Sequence, residues 1–261
     1  MIEIDRLMIE EYGITLLQMM ENAGRGLAAL ARYLLGGNAA GRKVVVLVGR
    51  GNNGGGGLVA ARHLADAAAQ VVVGLAVEPG ALGGVPEHQR KALARMGVAG
   101  SECITAPAEL PRLLEGVDLV LDALIGYSLR GAPRDPIASF IRAANSASAP
   151  RLALDLPSGL AGDRGVPLDP TIRADATLTL AWPKAGLLTN EARALVGDLY
   201  LADISVPAGV YRAVGVDPTT LFAHGPLVRV RAVGTGWQPE AFTPSSGPKQ
   251  GTNPTLPGLS S

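Results

Sequence analysis

The run Gly49-Arg50-Gly51-Asn52-Asn53-Gly54-Gly55-Gly56-Gly57 constrains the fold more than any other stretch of this chain. It sets six glycines and two asparagines directly after the β-branched segment Val44–Val48 and directly before Leu58-Val59-Ala60-Ala61-Arg62-His63-Leu64. A short apolar run, a glycine loop and a periodic apolar segment read as a buried strand, a tight turn and the start of a helix. Glycines are costly in chain entropy, so this many at a strand-to-helix turn imply either φ > 0 or a very close approach of the backbone to a neighbour, a phosphate-bearing ligand first among them. No Lys-Ser or Lys-Thr follows, so the loop is not a Walker loop, and the adjacent asparagines depart from the simple dinucleotide fingerprint. Asn52 and Asn53 add side-chain amides, each with donors and an acceptor, beside the free N–H groups of a helix start.

The surrounding pattern extends this unit. Ile4, Leu7 and Met8, then Leu16, Met19, Met20, Ala23, Leu27, Leu30 and Leu34, fall at helical spacing, with Thr15 and Gln18 as a capping box, so two helices precede the sheet. The methionine stripe reads as core or subunit contact, because methionine fills irregular gaps. Thereafter the chain alternates: strand 43–48, helix 55–68, strand 70–76, helix 86–96, a weak strand near 102–105, helix 107–114, strand 117–121, helix 136–145, and strands 151–154, 176–180 and 199–203. Such alternation predicts right-handed crossovers and a Rossmann-like three-layer αβα sandwich with a mostly parallel sheet. Residues 1–221 form this domain. From Phe222 the chain turns rich in Pro, Gly and Ser, and residues 222–261 read as a largely disordered tail, with 227–233 able to form an edge strand and disorder expected beyond about Thr235.

Charge narrows the function. Lys plus Arg and Asp plus Glu balance at 23 each, which leaves neither a footprint for nucleic acid nor a basic patch for anionic lipid. No apolar stretch reaches the ~18 residues of a membrane span, and the acidic start Met1-Ile2-Glu3-Ile4-Asp5 is unlike a secretory leader. The single Cys103 forms no intrachain disulfide and suits a reducing compartment, so the expected location is the cytoplasm. A small-metabolite protein is the default class.

Ligands of open parallel sheets bind beyond the carboxyl ends of the strands, and polar residues recur there. Asn52 and Asn53 follow the first strand, Asp122 follows Val117–Leu121, and Asp155 opens Asp155-Leu156-Pro157-Ser158-Gly159 after Leu152-Ala153-Leu154. Either aspartate alone is equally read as a turn cap; together, beside the asparagine loop, they point to a crevice. No Ser-His-Asp grouping is formed, and His63 on its helix reads as structural. Asp122, Ser158 and the Asn53 amide oxygen are hard donors suited to an alkali or alkaline-earth cation. Asp155 is left as the acid/base, because desolvation in an apolar crevice raises a carboxyl toward neutrality. The segment Gly126-Tyr127-Ser128-Leu129-Arg130-Gly131-Ala132-Pro133-Arg134 reads as a second phosphate-holding loop, with Arg130 or Arg134 as the partner, or else as a solvated loop.

Gly51-Asn52-Asn53-Gly54-Gly55, Asp122-Ala123-Leu124-Ile125-Gly126 and Asp155-Leu156-Pro157-Ser158-Gly159-Leu160 together resemble the YjeF N-terminal family of NAD(P)H-hydrate epimerases. Glu11-Tyr12-Gly13-Ile14, Met20-Glu21-Asn22-Ala23-Gly24-Arg25, Gly197-Asp198-Leu199 and Ile204-Ser205-Val206-Pro207 are similar to that family as well, so the likeness spans roughly residues 1–215. It implies interconversion of the R and S forms of hydrated NADH and NADPH, with a separate dehydratase as functional partner, and a homodimer through the N-terminal helices. It further implies a potassium ion on Asn53, Asp122 and Ser158. The hydrated cofactor would lie on Asn52, Asn53, Gly54, Gly55, Gly56, on Gly126, Tyr127, Ser128, Leu129, Arg130, Gly131, Ala132, and on Asp155, the catalytic group. Two positions depart from the family pattern: Gly56 stands where the family has Asp, and Ser128 where it usually has Gly. Gly56 leaves open a rival reading, a nucleotide-binding or scaffold protein that has kept the fold without the reaction. A hydride-transferring dehydrogenase fits poorly, since the first loop lacks Gly-x-Gly-x-x-Gly.

Overall fold

In the computed structural model, which describes residues 2–100, 105–233 and 236–242, the first strand β1 (Lys43–Val48) is buried on both faces. Val44, Val46 and Val48 pack with Leu27, Leu30, Leu58 and Leu64 on one side, while Val45 and Leu47 pack with Phe140 and Ile141 on the other. This alternation divides the molecule into layers. Helices α2 (Leu16–Leu34), α3 (Asn52–Asp66) and α4 (Gly84–Arg95) cover one face of the sheet, and α5 (Leu110–Leu113) and α6 (Ile137–Ser146) cover the other. The N-terminal α1 (Ile2–Glu10) buries Ile4, Leu7 and Met8 in a third cluster with Tyr211 and Val210 of α8 (Ala208–Ala213); α7 (Arg193–Val196) contributes Val196 to it.

The sheet has eight strands. β2 (Gln70–Leu75), β1, β3 (Leu119–Ala123), β4 (Arg151–Leu154), β5 (Ala176–Leu180) and β6 (Asp198–Ala202) run parallel in that spatial order, and β7 (Leu227–Val233) and β8 (Gly236–Ala241) continue it antiparallel. The order reverses at β1: the chain steps outward to β2, then crosses back to β3. Loops leaving β1 and β3 therefore diverge to opposite sides of the sheet and open a crevice at their carboxyl ends, the usual ligand position of such sheets.

The three-layer α/β architecture and both N-terminal helices stand as read from the sequence. The box at the start of α2 is formed, with the Thr15 N–H donating to Gln18 Oε1 at 2.8 Å and the Gln18 N–H to Thr15 Oγ1 at 3.3 Å. Several boundaries differ. Helix α3 begins at Asn52, three residues earlier than expected, because its glycines are helical rather than loop residues. Asp122 lies inside β3 rather than after it, and the expected helix 107–114 is a 3-10 turn followed by the short α5. In the tail, 227–233 is a strand of the sheet, and Gly236–Ala241 forms a further one where disorder was expected: Val228, buried on the sheet, and Trp237, stacked edge-on against Trp182 at 4.9 Å, supply the apolar contact that composition hid. The weak strand near 102–105 lies outside the described residues except for Thr105, whose N–H donates to the Leu75 carbonyl at 2.9 Å, and the tail beyond 242 lies outside them entirely. Among the described residues, no helix is long and apolar enough to cross a membrane.

Candidate active site

Close packing accounts for several glycines of the run, while a Cβ on Gly51 would meet open space. None of its six glycines has a positive φ. A Cβ on Gly54 would overlap the Gly49 carbonyl, one on Gly49 the Leu124 carbonyl, and one on Gly57 would come within 2.5 Å of Ala123 Cβ on β3. Gly55 lies against Met20 of α2, and Gly24 of α2 lies against Val59 and the Gly56 carbonyl of α3. The glycines thus let α3 sink onto the sheet and let α2 seat directly on α3, a role that demands glycine as strictly as phosphate binding would.

That close seating shapes a cavity of about 310 Å³ at the switch point. Leu16, Met19, Met20 and Ala23 of α2 form one wall, Asn52, Asn53 and Gly56 the start of α3, and Ile125, Gly126, Tyr127 and Ser128 the loop after β3. Asp155 and Leu154 come from the end of β4, and Asp5 and Arg50 also bear on it. Of the residues expected to hold a ligand, Asn52, Asn53, Gly56, Gly126, Tyr127, Ser128 and Asp155 line this cavity. Gly54 and Gly55 face the sheet and α2 instead, and Leu129, Arg130, Gly131, Ala132 and Arg134 lie outside it. Arg50, inside the first loop, is the guanidinium the cavity does have. The methionine stripe takes a double role: Met8 is core, whereas Met19 and Met20 are buried yet line the cavity.

Asp155 is 3% exposed and sits at φ +67, the left-handed region where non-glycine residues are uncommon and aspartate is enriched. Its N–H donates to the Leu178 carbonyl of β5 at 2.7 Å, which fixes the turn. One carboxylate oxygen, Oδ1, pairs with the ammonium of Lys184, and the other accepts the Tyr127 N–H at 3.3 Å. Lys184 is itself 8% exposed and donates further to Thr179 Oγ1 and the Leu180 carbonyl, both at 3.1 Å. Gly126 completes the arrangement: a Cβ there would stand 3.3 Å from both Asp155 Oδ2 and Asn53 Cγ. The carboxylate is therefore seated in an ion pair, not in the purely apolar crevice expected from sequence.

Beneath the cavity, Asp122 and Ser158 are fully buried and directly bonded. Asp122 accepts the Ser158 hydroxyl at 2.6 Å, the Ser158 N–H at 2.8 Å and the Leu124 N–H at 3.2 Å, and Ser158 Oγ accepts the Ile125 N–H at 2.8 Å. Burial pushes the Asp122 carboxyl up to about 6, against the opposing pull of these hydrogen bonds. The Asn53 amide is buried with its Nδ2 lacking any partner. A half-turn of that amide puts Oδ1 in the same place, and an unpartnered buried oxygen is a hard donor of the kind a monovalent cation takes. The donor set fits the expected ion.

Besides Arg50, two residues of the site, Lys184 and Asp5, escaped the sequence reading. Lys184 follows the end of β5 as the polar residues of the other strands follow theirs, and extending that rule one strand further finds it. Asp5 accepts the Tyr127 hydroxyl at 2.7 Å, and burial raises its carboxyl despite that bond and the nearby charge of Lys184. Its signal was its place beside Ile4, Leu7 and Met8 on the buried side of α1. His63 is structural, as read: its Nε2 lies 2.8 Å from Glu21 of α2, which also takes Arg62.

A Rossmann-like α/β domain carrying a buried carboxylate in a cavity at its switch point is a small-molecule-binding protein of the nucleotide-handling kind. Comparison with known proteins narrows the class. The family model described as YjeF-related protein N-terminus matches residues 16–186, and the chain belongs to that family. A protein of Dehalogenimonas lykanthroporepellens named NAD(P)H-hydrate epimerase is 44% identical over 88% of this chain and 90% of its own length. One of Rhodopirellula baltica with the same name is 36% identical over 82% of this chain and 85% of its own. A protein of Hyperthermus butylicus, named bifunctional NAD(P)H-hydrate repair enzyme Nnr, is 42% identical, and this chain spans 42% of its length. Among solved structures, the crystal structure of yeast ynu0, YNL200c, superposes with a TM-score of 0.74 over 87% of this chain and 96% of that one, at 23% identity, which speaks to the fold.

Proposed function

We propose that this chain is an NAD(P)H-hydrate epimerase, interconverting the R and S forms of hydrated NADH and NADPH. The observation that carries the reading is Asp155, held in a left-handed turn at the switch-point cavity with its carboxylate fixed by Lys184 and the Tyr127 N–H. The name borne by full-length relatives supports the substrate. Inversion at the hydroxyl-bearing carbon requires its C–O bond to break and re-form. One proton must reach the departing hydroxyl and one must leave the incoming water. Asp155 performs such transfers, Lys184 and Tyr127 hold it in place, and Asn52 and Asn53 at the start of α3 offer amides to the cofactor. Arg50 is the cavity's partner for a phosphate.

A potassium ion on Asn53, Asp122 and Ser158 would supply positive charge beside the ligand's phosphates, and the orphan Asn53 amide and the raised Asp122 carboxyl support that choice. The functional partner in this reading is an NAD(P)H-hydrate dehydratase carried on another chain, with the bifunctional relatives as its precedent. The single cysteine supports the cytoplasm as the place of action. For homodimerisation through the N-terminal helices the methionine stripe is spent internally; the exposed Ile9, Tyr12 and Leu17 there are the surface that supports it, and sedimentation as a monomer at micromolar concentration would refute it. The binding-only alternative rested on Gly56 lacking a carboxylate, yet the cavity is lined by two, Asp5 and Asp155.

The test is exchange between purified R and S hydrated NADPH in potassium buffer, followed by proton NMR. Asp155→Asn is the matched control, since asparagine also tolerates φ > 0. Equilibration by the native protein and its loss in the variant is the expected result; a native rate no faster than spontaneous exchange overturns the assignment.

A further inference from the structure

Asp155 enters the cavity with both carboxylate oxygens engaged, Oδ1 by the Lys184 ammonium and Oδ2 by the Tyr127 N–H. Inversion needs two proton transfers, one to the departing hydroxyl and one from the incoming water, and a second group in the cavity can share them with Asp155. Among the residues lining the cavity, one other carries a carboxyl: Asp5, from α1. Among the described residues no basic side chain is hydrogen-bonded to it, and its partner is the Tyr127 hydroxyl, at 2.7 Å on Oδ2; Tyr127 is the same residue whose N–H binds Asp155. Tyr127 therefore links the two carboxyls through its two ends.

We propose that Asp5 is the second proton-transfer group of this cavity, the acid that works with Asp155 as base. The proposal rests on the epimerase reading and names the partner that the reaction lacks in it. The Asp5 carboxylic acid gives its proton to the substrate hydroxyl on one face of the ring. The C–O bond breaks, water departs, and the lone pair of the adjacent ring nitrogen forms a C=N bond. Water then adds to that carbon from the other face, the C=N electrons return to nitrogen, and the proton released passes to Asp155. The substrate is inverted with no net gain or loss of atoms, Asp5 ends ionised and Asp155 protonated. The opposite inversion runs the same steps backwards, with the roles exchanged. Burial favours the protonated form of Asp5, while the Tyr127 hydroxyl and Lys184 favour its anion, and the Asp155 charge opposes them. Gly56 fits this scheme: with Asp5 in the cavity, the carboxylate absent at 56 is not required.

The experiment measures R/S exchange against pH for the native protein, Asp5→Asn, Asp5→Glu and Tyr127→Phe, each checked by thermal melting. Asp5→Asn is expected to lower kcat by about 100-fold or more with KM changed far less, and to abolish the fall of rate at alkaline pH. Asp5→Glu is expected to restore part of the loss. In Tyr127→Phe the anion of Asp5 loses its hydrogen bond, so the alkaline limb should move to higher pH. If Asp5→Asn fails to fold, the Tyr127→Phe profile decides. Native exchange with Asp5→Asn within threefold of it, or an alkaline limb that does not move in Tyr127→Phe, overturns this proposal while leaving the epimerase reading intact; a native protein without exchange overturns both.

Discussion

Helix α2 carries two glycines, two residues apart, whose replacement by alanine should have opposite effects. At Gly24 an added Cβ meets Val59 Cβ at far less than contact distance, and the Gly56 carbonyl oxygen at 2.7 Å. Both neighbours belong to the backbone frame of α3 or sit next to it, so no side-chain rotation relieves the overlap, and α2 must move. Overpacking of this kind costs about 3 kcal/mol, the upper end of the usual range, against about 1 kcal/mol gained by replacing a helical glycine with alanine. The net loss is about 2 kcal/mol, or a fall in Tm of roughly 4–8 °C for a domain this size. At Gly26 the same Cβ meets Ala202 Cβ at 3.4 Å, Leu227 Cδ2 at 3.5 Å and Leu178 Cδ2 at 3.6 Å, all ordinary contacts. There the helix propensity acts alone, and Tm should rise by about 2–4 °C. Differential scanning calorimetry of the two variants beside the native protein measures both. Gly24→Ala should also weaken ligand binding, since Met19, Met20 and Gly56 line the cavity on either side of the seam. Equal Tm shifts in the two variants would refute the claim that α2 and α3 are held at glycine distance.

Removing one partner of the buried Lys184–Asp155 pair should cost more than removing both: Lys184→Met leaves an unpaired carboxylate and loses about 3–5 kcal/mol in urea unfolding, and adding Asp155→Asn should recover much of it. Strict additivity of the two changes would show that they do not interact. Gly56→Asp places its Cβ 2.8 Å from Leu154 Cδ2, the free end of a flexible side chain, so the variant should fold with a loss of about 1 kcal/mol and exchange epimers within threefold of native. A tenfold gain would mean that the site lacks a carboxylate after all. For Glu21, burial favours its protonated form, but Arg62 and His63 outweigh it and hold the carboxyl below its usual 4.5. A depressed carboxyl stabilises the fold above that value and ceases to as pH falls through it, so Glu21→Gln should cost about 0.5–1 kcal/mol at neutral pH, solvent screening included, and almost nothing near pH 3. A cost that is the same at both pH values would rule out the ion pair as its source.

Strands 151–154 and 176–180 were legible to the residue because short aliphatic and β-branched runs are set off there by Pro150, Asp155 and Asp175, residues that punctuate a strand. The start of α3 was not, since Asn and Gly are poor helix formers and packing against α2 and β3 overrides their propensity. The carboxyl ends of the strands pointed to Asn53, Asp122 and Asp155, but what those residues touch is set by the fold. Lys184 lies 29 residues from Asp155 along the chain, and Asp5 lies 122 from Tyr127; no local pattern records such a meeting. Strand β8 was hidden by Gly236 and Pro239, which demote a strand in any reading by propensity.

That same Pro239 bears on how copies of the chain can associate. It stands in the outermost strand, opposite Val230, and gives no N–H to a further ladder, while Glu240 of the same strand, paired with Arg231, sets charge on that strand. At the far rim, Ala99 and Thr105 already occupy hydrogen-bonding groups of β2. Growth of the sheet from one molecule into the next is thus discouraged at both ends. Self-assembly is left to helical surfaces, where it buries side chains without recruiting backbone, and the protein can be concentrated in a cell with little risk of strand-by-strand polymerisation.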